Sequence, residues 1–475
     1  VSKLPLLDGV LRYVDKNNKL FCMPGHKGGK GFLTTSIGRK FIKNMSKVDI
    51  TEVNGLDNLH KPSGIIKDSL KALSNFYGSK KSYFLVNGST SGNFIMIFSA
   101  FNEGDKVLVE RNCHRSVFNA IIMRKLKPIY INSTIDKRLN APAFIDLDDF
   151  SRKIDKNKDA KGIIVTYPNY YGLCSNLEYI IEKAKINKMK VLVDSAHGAH
   201  FEVHKDLPKS ALQLGADMVV ASSHKTLPSL TQTAYLHINN LEDIQSIDFY
   251  TSMFLSTSPS YILMCSMDYA RFFLEKYGNE AYDKLLNMCR YYREMINTID
   301  GISVLDRNYF IGSSNFFYDI DETRYIMNLD KGYSSYKLLN YLRENNIQAE
   351  MNDGSNVILI FSPFNYEDDF RVLYDVLKKC NLEKLKSKEF EILKPHIPNY
   401  KFLPFEVLNM GKKSINLEEA LGKVSAENIV PYPPGIPILN MGEVIDIETI
   451  NYIKYYVDNN AEILGLNDGK IKIVK

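Results

Sequence analysis

Four short polar clusters hold the residue types that could do chemistry. In ADMVVASSHKTLPS an apolar run ends in Ser222-Ser223-His224-Lys225. A lysine partly withdrawn from water at such a point loses basicity and becomes a nucleophilic neutral amine, as a Schiff-base lysine must. Alone, a lysine just past a strand reads as a solvated loop residue. In KVLVDSAHG a second apolar run ends in Asp194, followed by Ser195-Ala196-His197-Gly198. A carboxylate there can keep a pyridine nitrogen protonated, which turns the ring into an electron sink; it can also simply cap a helix. The two residues are 31 positions apart (225 − 194), with room between them for one helix-sized segment and the next strand. That spacing predicts neighbouring strand ends on one side of a sheet.

The third cluster is FLVNGSTSGN, where a strand candidate runs through Gly88-Ser89-Thr90-Ser91-Gly92 into a helical pattern. Small residues admit an anion to the backbone, N–H groups at the helix start point at it, and hydroxyls add donors. The segment has neither the lysine of a Walker loop nor the G-x-G-x-x-G spacing, so it reads as a phosphate cup outside a nucleotide fold, or as a plain Gly/Ser turn. In VERNCHRSVFNA, His114 stands just past another strand end and before a helix. Its flat ring could stack on a planar cofactor, or it could make ordinary hydrogen bonds at a helix start.

Positioning these clusters falls to an alternating pattern. YFLV, KVLVE, KPIYIN, GIIVTYP, KVLVDSA, DMVVASS and TAYLHI read as strands, and residues 93–101, 116–124 and 177–188 carry apolar groups at helical spacing. This is an α/β arrangement with a mainly parallel sheet, which binds ligands outside the carboxyl ends of its strands. After Tyr261 the chain reads helical to about Ile299, and SSNFFYDI and NVILIFSP flank the amphipathic KLLNYLREN. The expected organisation is an N-terminal segment (1–30), a large domain (31–260), a smaller α+β domain (261–380), and a connector with a C-terminal tail domain (381–475) in which PYPPGIP makes a proline-fixed bend.

Composition narrows the class of partner. With 475 residues, 45% hydrophobic and 24% charged, the chain fits a globular protein of two or three domains. Its formal charge of +5 is the small difference of 60 basic and 55 acidic residues, with no basic stripe, so nucleic acid is not an expected partner. The opening residues mix charge and apolar groups too finely for a signal-peptide core, and no apolar run has membrane-spanning length; a cytoplasmic setting is expected. Six dispersed cysteines without C-x-x-C pairs or nearby histidine at metal spacing predict reduced thiols and no metal site.

With phosphate cup, histidine, Asp-x-Ala-His and Ser-x-His-Lys in that order, the sequence resembles the Orn/Lys/Arg decarboxylase family of fold type I, aspartate-aminotransferase-like pyridoxal 5′-phosphate (PLP) enzymes. It resembles most the short Gram-positive arginine/lysine decarboxylase-like members. MPGHKGG, DITEVNGLDNLHKPSG, IIVTYPNYYG, STSPSY and VPYPPGIPILNMGE extend the likeness over nearly the whole chain. The resemblance implies that Lys225 forms the Schiff base, Asp194 pairs with the pyridine nitrogen, and His114 stacks on the ring. It further implies that Ser89, Thr90, Ser91, Ser222 and His224 hold the phosphate, Ala196 packs on the opposite ring face, and His197 lies near the 3′-oxygen. Lys225 or a neighbouring histidine would return the proton to Cα. A homodimer or higher homo-oligomer is implied, with residues 256–258 reaching a partner's phosphate.

Two departures stand out: Ser195 where the family often has Glu, and Pro168-Asn169-Tyr170 where it often has Pro-Thr-Tyr. The sequence also lacks the long N-terminal wing of the inducible bacterial decarboxylases, so their decamer is not to be assumed. The implied activity is decarboxylation of a basic amino acid, arginine (to agmatine) before lysine or ornithine, in polyamine-related metabolism. Glu52, Asp57 and Glu350 are the candidate partners for a cationic side chain, and His26 a candidate at the entrance; each also reads as a structural group. Transamination, aldol cleavage, elimination with cyclisation, and a catalytically silent PLP-binding regulator are the alternatives.

Overall fold

The computed structural model describes residues 3–313, 316–387, 397–432, 435–459 and 461–475. Its centre is a seven-stranded sheet: β1 (Lys81–Leu85), β2 (Lys106–Glu110), β3 (Lys127–Ile131), β4 (Gly162–Thr166), β5 (Lys190–Asp194), β6 (Met218–Ala221) and β7 (Ala234–Ile238). The order is β1-β7-β6-β5-β4-β2-β3, with β7 antiparallel to both neighbours and the rest parallel. Helices cover both faces of such a sheet, so its inner strands must be apolar on both sides. Val107 to Val109, Ile163 to Val165 and Val191 to Val193 accordingly lie almost wholly out of solvent. Gly162 has a packing reason: a Cβ there would meet the Phe101 ring at 2.6 Å.

Three crossover helices match the predicted patterns: α1 (Gly88–Ala100), α2 (Arg115–Arg124) and α3 (Leu177–Ile186). The expected helix between Asp194 and Lys225 is not there. That crossover holds a single 3-10 turn, Phe201–Val203, because Gly198, Pro208 and Gly215 break helical continuity in a stretch crowded with histidines.

The smaller sheet is antiparallel: β8 (Ile302–Leu305), β9 (Arg324–Leu329), β10 (Met351–Asn352) and β11 (Asn356–Ile360), in the order β8-β9-β11-β10. Its central strand β9 escaped the sequence reading because Arg324 and Asn328 interrupt its apolar run. Among the described residues of SSNFFYDI, Phe317–Ile320 forms a strand, and it pairs with Leu173–Ser175 on the large unit instead of joining this sheet. Near the N-terminus, Lys19–Phe21 pairs in parallel with Ile347–Ala349, and the buried Lys27 ammonium donates to the carbonyls of Cys22 (2.6 Å) and Ile360 (2.8 Å). The MPGHKGG loop is thereby fastened to the smaller sheet.

The C-terminal segment builds its own core from Leu417, Ile429, Leu439, Ile450, Ile453 and Ile471. Residues 388–396 of the expected connector, together with Pro433 and Pro434 of PYPPGIP, lie outside the described residues. Among the described residues no helix is long and apolar enough to cross a membrane, and no group of His, Cys, Asp and Glu could hold a metal ion.

Candidate active site

The parallel register sets the site. Val220 of β6 pairs with Asp194 of β5, so Asp194 and the Ser222 to Lys225 segment leave adjacent strands at the same end, as the 31-residue spacing predicts. Lys225 lies in a four-residue helix, Ser223–Thr226, and its Nζ is 2.9 Å from His197 Nε2. Burial is the main cause that lowers its pKa, to about 8; Arg324 adds to the fall, while Asp194 and Glu350 oppose it.

Asp194 is 3% exposed and accepts from Asn93 Nδ2 (2.8 Å) and from the Ala196 N–H (3.1 Å). Asn93 escaped the sequence reading. The other hydrogen of its amide goes to Ser116 Oγ (2.9 Å), and Ser116 Oγ lies 2.8 Å from His114 Nδ1. One buried amide on α1 therefore links the carboxylate on β5 to the histidine before α2. A polar residue inside the otherwise apolar NFIMIF run was the available signal.

His114 takes the helix-start role as well: its Nδ1 caps α2 by accepting from the Ser116 N–H at 3.2 Å. Burial lowers its pKa to about 4, with Lys225 contributing. Across its ring lies the C-terminal segment. A Cβ on Gly435 would stand 3.3 Å from His114 Cδ2 and Nε2, and the Gly435 carbonyl accepts from the Arg115 N–H at 3.0 Å. Whether the tail reaches the site was open in the sequence; Gly435 does.

The glycine-rich cluster opens α1. Gly88 has φ +76°, a left-handed conformation open to glycine at little cost, and Asn87 makes no side-chain cap. The first N–H groups of α1 are thus left without a side-chain acceptor from Asn87. Ser222 Oγ donates to Ser89 Oγ at 3.0 Å, joining the cup to the lysine segment. Thr90 is exposed, Ser91 Oγ is turned back to the Gly88 carbonyl (2.7 Å), and His224 Nδ1 donates to the Thr233 carbonyl (2.8 Å). The segment 256–258 is exposed beside its own chain's cup, with the Ser256 N–H donating to Asn87 Oδ1 at 3.2 Å.

The substrate candidates separate. Glu350 accepts from the Tyr170 hydroxyl (2.6 Å) and from the Met23 N–H (2.9 Å), and the Tyr170 ring lies 4.7 Å from that of His197. Glu350 is therefore one side chain away from the Lys225 cluster. Asp57 is elsewhere employed: its oxygens accept from the backbone N–H groups of Asn58, Ser63, Gly64, Ile66 and Lys67, which holds its carboxyl down at about 2. The carboxylate caps the helix Ile65–Tyr77, and the substrate expectation for it gives way to that role. Glu52 shows a buried Oε1 without a hydrogen-bond partner and lies on the Asp57–Tyr261 side. His26 Nδ1 accepts from the Gly29 N–H at 2.9 Å, closing its own turn, while the Gly25 N–H donates to the His224 carbonyl at 2.8 Å and seats that loop on the lysine segment.

Asn169, one of the departures, makes a turn: its amide donates to the Ala143 carbonyl (2.7 Å) and accepts from the Tyr171 and Leu173 N–H groups (3.0 Å each). Arg324, the first residue of β9, also went unread. It is fully buried and lies 3.0 Å from His197 Nδ1, so the smaller sheet reaches the cluster through it.

Comparison with known proteins places this geometry. The family described as Orn/Lys/Arg decarboxylase, major domain, matches residues 4–324, and the corresponding C-terminal domain matches residues 396–468. The uncharacterized protein YaaO of Bacillus subtilis (strain 168) is 34% identical, the match covering 97% of this chain and 96% of that one. An arginine decarboxylase of the same organism is 32% identical, with 99% of this chain and 97% of that one covered. The solved constitutive lysine decarboxylase of Escherichia coli superposes with a TM-score of 0.79 at 20% identity, covering 99% of this chain and 82% of that one, a likeness of fold.

Proposed function

From the premise that this chain belongs to the Orn/Lys/Arg decarboxylase family, we propose that it is a PLP enzyme that removes the α-carboxylate of a basic amino acid, arginine in preference to lysine or ornithine. The carrying observation is electrostatic. Asp194 is a buried carboxylate with no ion-pair partner among the described residues, on the strand next to a half-buried lysine that also lacks one. A buried charge of that kind calls for a counter-charge, which a protonated pyridine nitrogen would supply.

The residues present fit the cofactor. Lys225 would be its covalent anchor, Asp194 the partner of its ring nitrogen, and His114 and Ala196 its two flanking faces. Ser89, Thr90, Ser91, Ser222 and His224 would surround its phosphate at the uncapped start of α1. When bound, PLP supplies a ring that accepts the electron pair released as the Cα–carboxylate bond breaks. The protein's share is orientation and charge. Asn93 fixes the Asp194 carboxylate and, through Ser116, the His114 ring, so the two sides of the site are held in one register. Lys225, with its pKa lowered to about 8, releases its proton far more readily than an exposed lysine and is half free amine at about pH 8.

Glu350 would receive the cationic end of the substrate, its oxygens already oriented by Tyr170 and the Met23 N–H. A carboxylate with both oxygens positioned suits a planar guanidinium better than an ammonium point charge, which, with the arginine decarboxylase relatives, supports arginine. The test is a product-resolved assay on arginine, lysine and ornithine with added PLP. Stoichiometric carbon dioxide with agmatine as the dominant product is expected; a keto acid or a cyclised amino acid would sink the reading. Lys225→Ala should abolish the protein-bound yellow chromophore and lower turnover by about 10²–10⁴-fold or more.

A further inference from the structure

His197 stands between two nitrogen donors. Arg324 Nη2 is 3.0 Å from its Nδ1, and Lys225 Nζ is 2.9 Å from its Nε2. A guanidinium is always protonated in proteins and accepts no hydrogen bond, so Nδ1 must present its lone pair to Arg324. A neutral imidazole then carries its one hydrogen on Nε2, and the atom opposite that hydrogen must accept it. The only lone pair Lys225 can offer is that of an uncharged amine.

We propose that Arg324 is a positioning residue that locks His197 in the Nε2–H form, which in turn favours Lys225 as a free amine and leaves His197 a hydrogen-bond donor whose Nδ1 lone pair is engaged by Arg324. Arg324 has no freedom to relax this constraint. It is wholly buried, with Nε on Asp321 Oδ2 (3.2 Å), Nη1 on the Tyr170 carbonyl (2.9 Å) and Nη2 also on the His197 carbonyl (3.2 Å). Asp321 is itself anchored by Thr323 and faces His200 at 3.2 Å. The other two states of the relay are both repelled: an imidazolium would aim N–H at N–H toward Arg324, and an ammonium on Lys225 would do the same at Nε2.

The charged and titratable groups around the pair come from several elements. Asp194 on β5, Glu350 beside β10 and Arg324 on β9 act on Lys225; Arg324, Lys225, His114 and His224 act on His197, and all four of those oppose its protonation. Asp194 and Glu350 favour an ammonium on Lys225, and burial with the Arg324 relay works against them. In its amine form, which predominates above about pH 8, the nucleophile needs no proton removed by a separate base before it attacks a carbonyl carbon. The consequence for catalysis rests on Lys225 being the cofactor's anchor, but the tautomer itself does not.

The full-length protein stripped of cofactor and labelled with ¹⁵N-histidine tests it by long-range ¹⁵N–¹H correlation, with His197→Gln identifying the resonance. A neutral Nε2–H pattern is expected at about pH 9, above the Lys225 midpoint of about 8; an Nδ1–H or imidazolium pattern there in the wild-type protein overturns the proposal. In Arg324→Leu the Nε2–H pattern should give way to exchange between tautomers. The pH midpoint for acylation of Lys225, read by peptide mass mapping, should rise by about one unit or more toward the ordinary lysine value. If Arg324→Leu folds with both readouts unchanged, the proposal fails; if it does not fold, the wild-type tautomer decides. No readout depends on turnover, so failure here and failure of the decarboxylase assignment are separate results.

Discussion

At the scale of single residues, three histidines in and beside the site are kept neutral by burial. His26, His114 and His224 are each lowered from 6.5 to about 4, burial being the largest cause. On unfolding they return to the ordinary value, so between pH 6.5 and 4 the unfolded chain binds more protons than the folded one. The stability they contribute is full above that window and is lost as pH falls through it. Calorimetric melting of the cofactor-free protein at stepped pH should show Tm falling over this interval, less steeply in a His224→Gln variant. Asp57 behaves on a separate schedule: its carboxyl, held at about 2 by backbone donors, loses its contribution only as pH drops below 3.8. Asp194 and Lys225 were legible in sequence because one ends an apolar strand and the other closely follows one, local features that neighbouring residues define. Arg324 was not, since its partner His197 lies 127 positions away and nothing local to RYIMNL says which cavity the arginine faces.

At the scale of elements, helix α1 does three tasks along its length: its start forms the cup, Asn93 ties Asp194 to His114, and Gly92 lets it settle on the sheet. A Cβ at Gly92 would come within 2.6 Å of Leu85 Cδ1 and 2.7 Å of Val220 Cγ2. Gly92→Ala should therefore destabilise by about 1–3 kcal/mol through overpacking, against a helix-propensity gain of at most about 1 kcal/mol. A denaturant titration checks the sign, and cofactor affinity should fall with stability because the cup moves with the helix. The strands and crossover helices of the central sheet could be read from periodicity, since both faces of the sheet are buried and the pattern is strong. The crossover after Asp194 could not, because its form depends on histidines paired with distant elements, His200 against Tyr282 and Asp321 and His204 near Asp283.

At the scale of the whole molecule, a buried ion pair helps to join the C-terminal segment to the sheet. Arg111, just past β2, makes two bonds to Glu443 (2.8 and 2.9 Å), and Glu443 also accepts from the Asn440 N–H. Removing one partner leaves the other charge buried and alone, so Glu443→Ala should cost about 3–5 kcal/mol. Arg111→Met combined with Glu443→Met should cost far less, and urea melts of the single and double variants distinguish the two. This joint spans 332 positions, which is why the sequence left the tail's place open.

The contact between Gly435 and His114 has a consequence in time. The ribosome makes His114 early and Gly435 321 residues later (435 − 114), yet each forms part of the other's surroundings. Every strand of the central sheet, with Asp194, His197 and Lys225, is therefore made before the residue that faces the His114 ring. A chain that stopped short of Gly435 would leave that side of His114 uncovered, so some of the last residues synthesised complete the surroundings of one of the first.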